Sequence, residues 1–86
     1  MDINSLPTVL PKDVPHMSGA WFVSDSSGRL VDSGLSVDLY RRRYGTDLSR
    51  QIQSGELFLR VKGYDKSFTK DQAKELLKSL KSGNRA

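Results

Sequence analysis

The chain has no cysteine, and that absence removes a disulfide framework, a thiolate zinc site and thiolate catalysis. It has one histidine, His16, directly after Pro15, so no second imidazole exists to serve a serine nucleophile or a multi-histidine metal centre. Long apolar runs are missing as well. The longest is Ala20-Trp21-Phe22-Val23, far short of the roughly 20 residues needed to cross a bilayer. No charged-then-apolar leader opens the sequence, and the expectation is a soluble, cytoplasmic protein with no membrane partner. Neither a Walker-type phosphate loop nor a dinucleotide fingerprint is present. With 86 residues there is room for one domain and one small core, which a deep pocket would largely consume. A metabolic enzyme and a small-molecule substrate are therefore not expected. Asp25 and Asp32 flank a turn in the manner of solubilising acids, so no metal and no cofactor is expected either.

What the chain does have is charge, unevenly placed. It carries 14 Lys and Arg against 10 Asp and Glu. Residues 1 to 40 hold two basic residues (Lys12, Arg29) and five acidic ones, while residues 41 to 86 hold twelve basic and five acidic. A chain polarised in this way presents a basic side to an anion, as expected if a polyphosphate is the partner.

The apolar pattern then divides the chain. Pro7, Pro11 and Pro15 stand every four residues, which blocks a continuous helix or a central strand, so residues 1–17 read as an extended arm, either disordered or lying along the domain or a partner. Residues 18–82 read as the domain and 83–86 as a tail. Ala20-Trp21-Phe22-Val23, the turn residues Asp25-Ser26-Ser27-Gly28 and Arg29-Leu30-Val31 predict a β-hairpin, which Gly34 separates from a helical region. In residues 36–54, Ser36 is a candidate N-cap, and Val37, Tyr40, Tyr44, Leu48 and Ile52 recur at helical spacing. Gly45 followed by Thr46-Asp47 allows either one helix or two. Ser54-Gly55 ends this region. Leu57-Phe58-Leu59-Arg60-Val61-Lys62 predicts a strand with Leu57, Leu59 and Val61 on one face and Phe58, Arg60 and Lys62 on the other. Phe68, Thr69 and Gln72 form a hydrophobic residue and capping box ahead of a stripe of Ala73, Leu76, Leu77 and Leu80. Lys70, Lys74 and Lys78 fall opposite that stripe, as a solvated face. The expected fold is therefore α+β, order β-β-α(α)-β-α, with an antiparallel sheet of about three strands covered by helices.

Two constellations point to binding. Arg41-Arg42-Arg43 falls on the expected helix, and arginine's planar fork suits phosphate oxygens and guanine edges. Phe58, Arg60, Lys62 and Tyr64 interleave aromatic and basic groups on one strand face, a combination that stacks bases while neutralising backbone. With Arg50 and Lys66 these make the expected nucleic-acid contacts: Arg41, Arg42, Arg43, Arg50, Arg60, Lys62 and Lys66. Leu6, Val9, Leu10 and Val14 in the arm are the expected protein-partner contacts, since simple DNA binding leaves them without a role.

Ile52-Gln53-Ser54-Gly55-Glu56-Leu57, followed by Arg60-Val61-Lys62-Gly63 and a capped terminal helix through Leu76-Leu77, resembles excisionase-type and mercury-resistance-type winged helix-turn-helix proteins over residues 35–80. Leu35-Ser36-Val37 through Tyr44-Gly45 resembles their first helix and its glycine turn. The stretch from Gly45 to Ser54 is shorter than that family's, and Tyr64-Asp65-Lys66-Ser67 stands where a second wing strand would run. The resemblance implies major-groove contact by Arg50 and its helix neighbours and backbone contact by Arg60 and Lys62. The functional expectation is a non-enzymatic DNA-associated regulatory protein, an accessory factor in transcription or recombination, with DNA favoured over RNA. The alternative is a corepressor or inhibitor that binds another regulator, itself DNA-bound, through arm, strand edge or helix face.

Overall fold

The computed structural model describes residues 3–41 and 44–83, with side chains to residue 80. Three strands, β1 (Gly19–Asp25), β2 (Leu30–Ser36) and β3 (Leu57–Gly63), form one antiparallel sheet in the order β2-β1-β3. Two helices, α1 (Thr46–Ser54) and α2 (Lys70–Gly83), complete an α+β domain of order β-β-α-β-α. β1 is the central strand, and both of its faces are buried. Trp21 and Val23 look to one side, where α1 adds Ile52 and the loops add Leu39, Tyr44 and Val14. Ala20 and Phe22 look to the other, where α2 adds Ala73 and Leu77, with Phe68 and Ile3 beside them. One helix on each face of a three-stranded sheet gives two small cores, each burying side chains worth about 1.5–3 kcal/mol apiece.

Local chemistry sets the boundaries. Asp25 closes the hairpin by accepting from the backbone N–H of Ser27 and Arg29 and from the Ser27 hydroxyl through one oxygen, Oδ1. At the end of α1, Gly55 takes φ +86°, the Gly55 N–H donates to Ile52 O and the Glu56 N–H to Gln51 O. That double bond pattern is a Schellman stop, which a side chain at Gly55 would strain. The capping box of α2 forms as expected: Gln72 N–H donates to Thr69 Oγ1 and Thr69 N–H to Gln72 Oε1, at 3.3 and 2.9 Å.

Two sequence expectations are corrected. Gly34 does not separate the hairpin from a helix, because β2 runs through it to Ser36. Gly34 pairs with Trp21, whose ring lies so close that a Cβ there would stand 2.8 Å from Cζ2. No helix begins at Ser36. The Ser36 hydroxyl accepts from Asp38 N–H, and Asp38 Oδ1 accepts from Tyr40 and Arg41 N–H, which makes a turn. Leu39 is wholly buried and its N–H donates to Met17 O, pulling the segment onto the end of the sheet and leaving Val37 87% exposed.

The arm lies along the domain, one of the courses its apolar residues allow. It carries two 3-10 turns, Ile3–Ser5 and Pro11–Asp13, and crosses the outer edge of β3 as a strap. Ile3 lies in the α2-side core, Val9 N–H donates to Leu59 O on the strand edge, and Val14 lies in the α1-side core. The strap closes the β3 edge. The outer edge of β2 has no neighbouring strand among the described residues.

Candidate nucleic-acid interface

The end of the sheet at Gly19, Ser36 and Gly63 is built by register: Gly19 pairs with both of the other two. Ser18 accepts from Tyr64 N–H, and Met17 accepts from Leu39 N–H, so the segments leaving β2 and β3 are tied to this same end. Both helices start here, since α1 follows the loop through Tyr44 and α2 follows the turn after β3. Arg41, Lys62, Lys66 and Lys70 are therefore brought to one end of the molecule, with the positive ends of two helix dipoles. Lys74 and Lys78 continue the row along α2, one turn or about 6 Å apart.

The lysines among these cations are free to meet an anion, whereas Arg41 Nε stands 3.7 Å from Asp38 Oδ2 in an ion pair. Among the described residues, no ion pair involves Lys62, Lys66, Lys70, Lys74 or Lys78. Lys62 Nζ stands 5.5 Å from the centre of the Phe68 ring, which fixes its stem on the α2 side. Two of the acids at this end are engaged locally, while Asp71 also lies here in the first turn of α2. Asp65 Oδ1 accepts from the Ser67 hydroxyl and from the Ser67 and Phe68 N–H groups, and these bonds outweigh desolvation and hold its carboxyl below the ordinary carboxylate range. Desolvation pushes the Asp38 carboxyl up, but bonding from His16 and from the Arg41 and Tyr40 N–H groups prevails and lowers it. His16 Nδ1 sits 3.2 Å from Asp38 Oδ2, its ring 4.1 Å from that of Tyr40.

The remaining expected contacts fall elsewhere. Arg60 is engaged within the fold: its Nε donates to Leu6 O of the strap at 3.0 Å and its Nη1 to Ser24 Oγ of β1 at 2.8 Å. Phe58 shares that face and is half-buried, with Tyr64 packed in the α2-side core, so no open stacking platform forms there. Arg50 lies on α1, across the sheet from Lys62, with Nη2 3.3 Å from Asp47 Oδ1. It lines an open groove with Pro11, Tyr44, Ser49 and Gln53. Arg42 and Arg43 lie outside the described residues. Of the expected partner contacts, Val14 is buried, Leu6 and Val9 are half-buried against the cores, and Leu10 is 38% exposed. The sequence reading left Lys70, Lys74 and Lys78 out, although lysines at 62, 66, 70, 74 and 78 form a four-residue period across three elements.

No membrane-spanning candidate exists among the described helices. No family model, no curated protein and no solved structure matches the chain.

Proposed function

We propose that the protein is a non-enzymatic, DNA-associated regulatory factor that engages the duplex backbone through its basic end. Arg41, Lys62, Lys66 and Lys70 supply the contacts, and Lys74 and Lys78 extend them. The observation that carries this reading is the gathering of unpaired lysines from a strand, a turn and a helix at one end of the sheet. Lysines held on fixed elements but free of ion pairs neutralise phosphates without first breaking an internal bond. The five lysine contacts alone imply a log–log salt slope near −4.5, so affinity falls about 500-fold between 50 and 200 mM salt.

The test is anisotropy of labelled random duplex DNA, single-stranded DNA and RNA at those two salt concentrations. Duplex binding that collapses at the higher salt supports the reading. Absence of binding to all three at low salt overturns it. A preference for single strands overturns the duplex assignment.

The second reading, a modulator that binds protein, is favoured by the open outer edge of β2, not by the strap. It predicts complex formation that survives removal of the lysine charges.

A further inference from the structure

We propose that a second copy of this chain occupies the outer edge of β2, the two strands pairing antiparallel about a two-fold axis through Gly34. An edge strand points alternate N–H and C=O groups away from its neighbour, and these need a partner or a guard. The strap guards β3, whereas β2 has only a bulge at one end. Val23 pairs with Asp32 and Ser24 with Leu30, leaving Val31 as the extra residue. Beyond the bulge, residues 32–36 pair regularly with β1, and the middle of that run is Gly34.

The Gly34-centred register is the one this edge complements. Carried past the regular run at both ends, it brings Val31, the bulge residue, 50% exposed, toward the partner's Val37, 87% exposed, and does so twice by symmetry. These are the two large apolar side chains left in solvent at the ends of β2. It sets Asp32 opposite the partner's Ser36, so no carboxylate faces another. Centring the axis on Asp32 would oppose two carboxylates, and centring it on Ser33 would leave Val37 against Arg29. The result is one continuous sheet of six strands, with both α1 helices on one face and both α2 helices on the other.

The test needs no nucleic acid and so stands apart from the DNA reading. Sedimentation of the full chain from micromolar to millimolar concentration is expected to show the mass rising from 9.6 kDa toward twice that value. The double variant V31D/V37D places like charges opposite each other and is expected to stay monomeric with its fold intact. V31K/V37D restores opposite pairs and is expected to dimerise again. Because the chain has no cysteine, register can be read directly. A mixture of Asp32→Cys and Ser36→Cys chains should form a disulfide, whereas Asp32→Cys alone should not, its two sulfurs being held about 13 Å apart along the strands. A wild type that remains monomeric, a V31D/V37D variant that still dimerises, or cross-linking of Asp32→Cys alone as fast as the mixture overturns the proposal.

Discussion

At the scale of single residues, Arg60 and Gly34 show how position overrides type. Arg60 belongs by sequence to a basic strand face, yet its guanidinium holds the strap carbonyl of Leu6 and the hydroxyl of Ser24, which is 2% exposed. Removing a charged donor from a buried hydroxyl costs about 1.5–3 kcal/mol. Arg60→Ala is thus expected to lower the unfolding free energy by that amount in urea titration, while the folded variant keeps its duplex affinity. A loss of affinity at full stability would return Arg60 to the interface. Gly34→Ala is expected to cost about 1–3 kcal/mol, because the added methyl meets the Trp21 ring at 2.8 Å and that ring is boxed by Tyr44, edge-on at 5.3 Å. The change should be visible in the emission of the single tryptophan. Neither role is legible from the residue alone: a strand arginine reads as a cation and a glycine reads as a breaker until the partner across the sheet is known.

At the scale of elements, the signals that were legible are those that close locally. The hairpin turn, the Schellman stop and the capping box each satisfy their own backbone groups within a few residues, so sequence spacing suffices to read them. The region after β2 failed for the same reason in reverse. Ser36 and Asp38 offer the same hydroxyl and carboxylate whether they cap a helix or a turn, and the choice falls to Leu39, buried by a bond to Met17 that sequence spacing does not display. The apolar residues of the strap allowed it to lie along the domain, but its bond to Arg60 was hidden, because Arg60 and Leu6 are distant in sequence. Ile3→Ala is expected to cost about 2–5 kcal/mol, a large share of a small domain's stability, and to expose the β3 edge to hydrogen exchange. An unchanged melting temperature would detach the strap from the core.

The turns also set the acid limit. In Asp25 the Ser27 hydroxyl and the Arg29 N–H hold the carboxyl below its ordinary value, as Ser67 does for Asp65. A depressed folded pKa contributes stability above the unfolded carboxylate value, about 3.9, and that stability is lost as pH falls through the folded value. Melting temperature is therefore expected to hold level above about pH 5 and to fall on the acid side, with the fall shallower in the Asp25→Asn, Asp65→Asn double variant, which keeps the Oδ1 acceptors and loses the charge.

At the scale of the whole molecule, the cations of the second half of the chain gather in space, with Asp38, Asp65 and Asp71 among them. Arg41, Lys62, Lys66 and Lys70 lie at the Gly19 end of the sheet, while Asp25 and Glu56 lie at the hairpin end, where Asp25 pairs with Leu57. The sheet also divides the cations by face, since Arg50 rides on α1 and the lysine row on α2. This separation distinguishes a defined interface from a generally basic surface. If the α2 side carries the contacts, replacing Lys66, Lys70 and Lys74 by Ala removes three phosphates from the footprint and reduces the magnitude of the log–log salt slope by about 2.7. Arg50→Ala leaves the slope unchanged, since it lies across the sheet. Equal losses per charge on the two faces would mean that the duplex responds to net charge alone, and the basic end would then hold no special place. The comparison also tests the helix-turn-helix resemblance, which puts Arg50 in the major groove and so predicts the opposite ranking: Arg50→Ala would relax sequence preference, and the lysine row would contribute only uniform affinity.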